Sequence, residues 1–320
     1  MSLRFVAALA TIGLVFSAPT HAEEYPAKSI TFVVPFAAGS ATDQIARALG
    51  QSVTDQTKQA VVIDNKPGAS GFLAATQVAK ASPDGYTVLI TTNTTHAANE
   101  HLYKTMPYDP VKDFVPVTLL GKGGQIMIVN PKVSATTVGE FVALAKKEPG
   151  KLTFGSGSSS SRIAGELLQQ MAGIQILHVP YKSNPLAITD LLGGTIDMMI
   201  TDTATGLPQV KAGKVRALGV TAKTRSPLAP EVPTIDEAGV KGYEMGYWFA
   251  AYVPAKTPPA VVQRLNALLV AATKSATAKA FYESTGTEAA TSTSDELRRF
   301  QAEESQKWGR IIKTANIQPE

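Results

Sequence analysis

Two stretches of small and hydroxyl-bearing residues hold most of the chemistry this sequence can offer. The first, Pro35-Phe36-Ala37-Ala38-Gly39-Ser40-Ala41-Thr42-Asp43, leaves an apolar run and enters a helix. Free N–H groups and the helix dipole at such a junction favour an anion. Ser40 and Asp43 also have capping-box spacing, so the same residues can simply close the helix. The two readings are compatible, because a carboxylate can use the N–H groups the cap leaves over. The second stretch, Phe154-Gly155-Ser156-Gly157-Ser158-Ser159-Ser160-Ser161-Arg162, also runs from a strand into a helix. A Ser/Gly run is equally well a flexible loop. Its place after a buried strand makes Ser156, Ser158 and Ser159 candidates for a ligand, with hydroxyls to donate. Thr91 to Thr95 and Thr201 to Thr205 add polar strand ends, and with them Thr92, Asn93 and Asp202.

These loops describe a wet, hydroxyl-rich cleft, not a nucleophile with its base. No G-x-S-x-G occurs, and the Gly-Lys pairs at 121, 150 and 213 lack the Ser/Thr of a phosphate loop. Gly155-Ser156-Gly157 does not complete a dinucleotide fingerprint. His96, Glu100 and His101 miss the spacing of an inverted zinc motif by one residue, so two partly exposed histidines are expected there rather than a metal. His178 ends an apolar strand and reads as structural. With no cysteine, thiol catalysis, disulfides and Cys-ligated metals are excluded. The formal charge of +4 never gathers into a basic run, which argues against nucleic acid. No cofactor is implied.

Arg162 stands in the first turn of a helix, where a cation opposes the dipole by roughly 0.3–1 kcal/mol. It either reaches water or a nearby carboxylate, or faces the cleft and forks onto a ligand carboxylate. In the second case the first loop holds one carboxylate and Arg162 the far one. The site then selects dicarboxylates, and a rigid aromatic diacid such as terephthalate spans it. Trp248 either packs in the core or walls the ligand body, whereas Tyr247 reads as core.

The elements that position these residues alternate strand and helix. Strands are expected at 29–34, 60–63 and 87–92, with helices at 42–49 and 72–80 between them. After the strand 114–120, Gly121-Lys122-Gly123-Gly124 reads as a crossing between lobes. A second series follows: strands at 125–129, 152–154, 175–179, 196–200 and 215–221, and helices at 138–147, 163–171, 186–192 and 206–212. A strand at 247–253 and three helices finish the chain. The last helix carries a capping box at Thr293 to Glu296, with Leu297, Phe300, Trp308, Ile311 and Ile312 on one face. The fold class is α/β with two lobes, each a helix-covered, mostly parallel sheet, and the ligand in the cleft between them. The expected division is 23–122 with 246–320 as lobe 1 and 123–245 as lobe 2, with hinges near 121–124 and 244–247.

Residues 1–22 read as a secretory signal. A short basic start precedes an apolar run from Phe5 to Phe16, and Thr20-His21-Ala22 offers the cleavage site. That run falls short of the roughly 18 residues a spanning helix needs. An exported, soluble protein of a periplasm is expected.

Many ordered motifs then carry a resemblance. They include Val34-Pro35-Phe36, Gly39, Asp43 and Arg47, then Asn65-Lys66-Pro67-Gly68-Ala69 and Pro83-Asp84-Gly85-Tyr86-Thr87. Further on come Ala164-Gly165-Glu166-Leu167, His178-Val179-Pro180-Tyr181-Lys182 and Lys211-Ala212-Gly213-Lys214-Val215-Arg216-Ala217-Leu218. The chain resembles the Bug (TctC-like) family of periplasmic solute-binding proteins. The resemblance implies a Venus-flytrap fold that closes on a small organic acid anion. It also implies delivery to the inner-membrane subunits of a tripartite tricarboxylate transporter, with no enzymatic activity. By position it assigns a proximal carboxylate to Ala38, Ser40, Thr42 and Asp43, with Tyr181 and Lys182 closing from the second lobe. A monomer that captures a dicarboxylate is the expectation. A binding protein that signals to a membrane sensor kinase is the alternative. Ser40, Arg162 and Ser183 depart from the family pattern.

Overall fold

The computed structural model describes residues 25–320. The expected signal segment, 1–22, lies outside the described residues. In the first sheet, β1 (Ile30–Val34) lies between β2 (Val61–Asn65) and β3 (Thr87–Thr92), parallel to both. β9 (Gly246–Pro254) runs antiparallel to β3, and β4 (Phe114–Val129) antiparallel to β9. In the second sheet, β5 (Thr153–Ser156) lies parallel to β6 (Leu177–Pro180) and to β7 (Met198–Asp202). The far half of β4 pairs antiparallel with β7 and with β8 (Arg216–Val220). Each sheet is mostly parallel, as expected, with one reversed strand in five. The reversed strand is β9 in the first sheet and β4 in the second.

The glycine crossing is part of β4 rather than a loop. Lys122, Gly123 and Gly124 pair with Trp248, Tyr247 and Gly246, and Gln125 takes up Asp202 of β7. The strand changes partners between Gly124 and Gln125, so one continuous backbone serves both sheets. Gly123 has a packing reason to lack a side chain: a Cβ there would lie 2.4 Å from the Tyr247 hydroxyl oxygen.

Side-chain alternation along the strands builds the cores. Ile30, Phe32 and Val34 face α1 (Ala41–Thr57), α8 (Pro259–Ala272) and α9 (Ala276–Thr285). Val33, Leu89 and Tyr252 face the opposite way, toward α2 (Phe72–Ala79) and α10 (Ser294–Thr314). The second sheet is covered by α4 (Val138–Lys147) and α5 (Ser159–Ala172) on one side, and by α6 (Asn184–Gly193) and α7 (Thr203–Lys211) on the other. α10 begins with the expected capping box, in which Glu296 N–H donates to Thr293 Oγ1 and Thr293 N–H to Glu296 Oε2. Its buried Leu297, Trp308 and Ile312 belong to a core that continues through α5, so this helix joins the two lobes.

A π-helical turn, Thr94–Ala98, and the short α3 (Asn99–Leu102) follow β3, where a polar loop was expected. His96 is buried there, not partly exposed. It stacks on Tyr252 with ring centroids 3.9 Å apart, and its Nδ1 lies 2.8 Å from Thr95 Oγ1. Among the described residues no helix is long and apolar enough to cross a membrane, and no group of three or more His, Cys, Asp or Glu could hold a metal ion.

Candidate functional site

Between the two sheets lies a small cavity of about 40 Å³, room for a few waters. Lobe 1 contributes Phe36, Ser40, Ala41 and Thr42 from the β1–α1 junction, and Thr92, Asn93 and Thr94 from the end of β3. Lobe 2 contributes Gln125, Ser158, Ser160, Asn184 and Asp202, while Tyr247 and Phe249 of β9 form the wall. A larger groove of about 990 Å³ lies behind Tyr247 and Gln125, which line both spaces. Several charged groups in the groove are paired with one another, as Glu244 is with Lys223 at 3.3 Å and Lys307 at 3.9 Å. The cavity differs: Asn93 Nδ2, Thr94 Oγ1 and Gln125 Oε1 are buried without a hydrogen-bond partner. Buried polar atoms are normally satisfied, so these three mark where a ligand or water belongs.

Four helix N-termini reach the cavity: Ser40 before α1, Ser158 before α5, Asn184 in α6 and Asp202 before α7. Ser40 Oγ accepts from Asp43 N–H at 3.3 Å, and Ser158 Oγ from Ser161 N–H at 3.2 Å. Each cap satisfies one donor and leaves the first N–H groups of its helix unused. Gly39, at φ +81°, turns the chain into α1. On the lobe 2 side, Gly157 N–H donates to Asn184 Oδ1 at 3.0 Å, and Asn184 Nδ2 to Asp202 Oδ2 at 3.0 Å. Asp202 Oδ1 accepts from Thr205 N–H at 2.8 Å, so this carboxylate caps α7. Gln125 Nε2 donates to Ser160 Oγ at 3.1 Å. The lining holds no Lys or Arg, and its donors are hydroxyls, amides and backbone dipoles.

Of the residues expected from sequence, Ser40, Thr42, Thr92, Asn93, Ser158 and Asp202 are brought together here. The others lie outside the lining. Ala38 is exposed on the loop. Asp43 is buried behind it, taking Gly39 N–H at 2.9 Å, Asn65 Nδ2 at 3.0 Å and the Arg47 guanidinium. Ser156 Oγ lies 2.7 Å from His178 Nε2, and burial, with Arg162 adding to it, lowers that imidazole's pKa to about 4. Ser159 Oγ donates to Asn99 Oδ1 at 2.8 Å. Arg162 Nη1 donates to Glu320 Oε1 at 2.6 Å. The Tyr181 hydroxyl donates to Asp190 at 2.7 Å, and burial and that carboxylate push its pKa up to about 12. Lys182 is exposed. Trp248 is buried with its Nε1 donating to Glu304 Oε2 at 3.1 Å, and Tyr247 takes the place on the wall.

Sequence reasoning missed Gln125, Asn184 and Phe249. Gln125 carries no local signal, since it reads as the first residue of an ordinary strand. Asn184-Pro185 had a cue: a polar residue before proline opens a helix.

A family model described as "Tripartite tricarboxylate transporter family receptor" matches residues 45–317. Protein BugT of Bordetella pertussis is 32% identical over 308 residues, which is 95% of this chain and 94% of that protein. Among solved structures, "R. palustris Rpa4515 with adipate" superposes with a TM-score of 0.90 at 34% identity, covering 93% of this chain and all of that one. "Structure of periplasmic binding protein BugD" gives 0.89 at 32%, covering 92% and 100%.

Proposed function

This chain belongs to the tripartite tricarboxylate transporter receptor family, and on that premise we propose that it captures a small organic carboxylate in the periplasm for uptake by such a transporter. Members of the family are solute-binding receptors, not enzymes. One observation carries the ligand class: helix N-termini from both lobes meet at one cavity that holds unsatisfied polar atoms and no fixed cation. Aligned backbone dipoles and hydroxyls suit an anion without demanding an ion pair. The proximal carboxylate is assigned to Ser40, Ala41 and Thr42, with Ser158 and Ser160 closing from lobe 2. A dicarboxylate is the leading class, supported by the adipate in Rpa4515. Terephthalate is the finer reading. It drew on Arg162, whose guanidinium is engaged by Glu320, so its support is the sequence alone.

The test is calorimetry and thermal shift with the full mature chain over aliphatic and aromatic mono- and dicarboxylates. An acid at 100 times its Kd should add about 2.7 kcal/mol of stability. Binding of one acid per chain, unchanged by EDTA, is expected. Tight binding of uncharged sugars in place of acids would overturn the reading. Signalling to a sensor kinase uses the same closure, and coexpression with the permease subunits separates the two: uptake of the acid argues for transport.

A further inference from the structure

Two residues that link the lobes beside the cavity lie on one face of α5. Ser159 and Arg162 are three residues apart, so their side chains point the same way. Ser159 Oγ donates to Asn99 Oδ1 of lobe 1 at 2.8 Å in a buried contact. Asn99 is fixed in turn, its Nδ2 donating to Ser70 O at 2.9 Å. Arg162 Nη1 reaches Glu320 Oε1 at 2.6 Å. Glu320 is anchored to lobe 1 by its backbone: its N–H donates to Leu102 O at 2.8 Å, and its carbonyl accepts from Lys104 N–H at 2.8 Å. Ser158 and Ser160, beside Ser159 in the same turn, line the cavity. The turn that faces the ligand is thus the turn that grips the other lobe.

We propose that Arg162 and Glu320 form a latch across the mouth of the cleft that positions the first turn of α5 and sets how long the receptor stays closed. This rests on the receptor reading, since only a chain that opens has use for a latch. Separating the lobes breaks the Arg162–Glu320 and Ser159–Asn99 contacts together, and neither residue need touch the ligand. Arg162 is then a positioning residue. Its loss weakens every ligand alike, where loss of a ligand contact would discriminate between a diacid and its monoacid.

The natural sequence has no cysteine, so Lys80→Cys in lobe 1 and Lys146→Cys in lobe 2, both exposed, place two spin labels cleanly. Electron–electron distances are measured on the ligand-free full chain, with Arg162→Met, with Glu320→Gln and with the exchanged pair Arg162→Glu, Glu320→Arg. Each single variant should lower the closed-to-open ratio about two- to fivefold, the scale of one partly exposed ion pair, and the exchanged pair should restore it. Thermal melts of all four proteins report whether folding alone has changed. Identical distance distributions in the parent and the single variants would overturn the latch, as would an exchanged pair as open as either single variant. No carboxylate is in the sample, so this result stands apart from the ligand reading.

Discussion

The guanidinium of Arg47 meets both oxygens of Asp43, with Nε 3.0 Å from Oδ2 and Nη2 2.9 Å from Oδ1. That pair governs what the first loop offers an anion. Asp43 also holds Gly39 N–H, and Asn65 ties its other oxygen to the Phe36 carbonyl, so both ends of the loop are fixed from behind. Without Arg47 the charge of Asp43 is met only by neutral donors and repels an anion bound in front of it. Arg47→Met should therefore weaken carboxylate binding about three- to tenfold, about 1 kcal/mol. Calorimetry against the parent protein measures it. Asp43→Ala should do more, since it strands buried donors, and should cost about 2–3 kcal/mol of folding stability as well.

Gly157 is the tightest point of the lobe 2 half. A Cβ there would lie 1.9 Å from the Ser183 carbonyl carbon and 2.1 Å from Asn184 N. Backbone atoms cannot yield as a flexible side chain would. Gly157→Ala should push α6 away from the serine loop, break the Gly157–Asn184 bond and lower carboxylate affinity at least tenfold. Titration of a protein that still melts cooperatively is the check. Unchanged affinity would show that the two segments have slack.

Local pattern made some of this legible and left the rest hidden. β3 and α4 fall at the residues expected, 87–92 and 138–147, because a continuous apolar run and a clean helical period leave little room for another reading. α1 was expected to stop at Leu49 but continues to Thr57, since Gly50-Gln51-Ser52 looks like an end while Val53 is still buried. β4 was divided at its glycines, because only pairing with β9, more than a hundred residues away, shows that they are strand. The anion loops at Ser40 and Ser158 were visible as strand-to-helix junctions. The partner of Arg162 was not, since Glu320 is 158 residues distant and no periodicity links them.

Glu304 serves both tryptophans. Its Oε2 accepts from Trp248 Nε1 at 3.1 Å and from Trp308 Nε1 at 3.3 Å. Glu304→Leu leaves two largely buried indole N–H groups without an acceptor and should cost about 2–4 kcal/mol, read by urea denaturation. Trp248 N–H also donates to Asn93 Oδ1 at 3.3 Å, so the variant should loosen one cavity residue too. Tryptophan emission should move to longer wavelength as water reaches the rings. Emission and midpoint both unchanged would mean that the carboxylate is dispensable there.

His96 sets an acid limit on the fold. Full burial lowers its pKa from 6.5 to about 3, because a charged imidazole stacked on Tyr252 has no water to solvate it. The folded pKa is depressed, so between about 3 and 6.5 the unfolded chain binds the extra proton and the folded chain does not. Stability therefore falls as pH drops through that window and is unaffected by this group above it. By pH 4 the cost should approach about 3 kcal/mol, the free energy of some 2.5 pH units of unmatched protonation. His178, depressed to about 4 mainly by its own burial, acts in the same direction over a narrower window. Urea midpoints measured from pH 4 to 8 should be flat above pH 7 and decline below it. His96→Gln should lower stability at pH 7 but remove about one proton from the slope between pH 4 and 6. An unchanged slope in that variant would assign the acid sensitivity to His178 and the carboxylates instead.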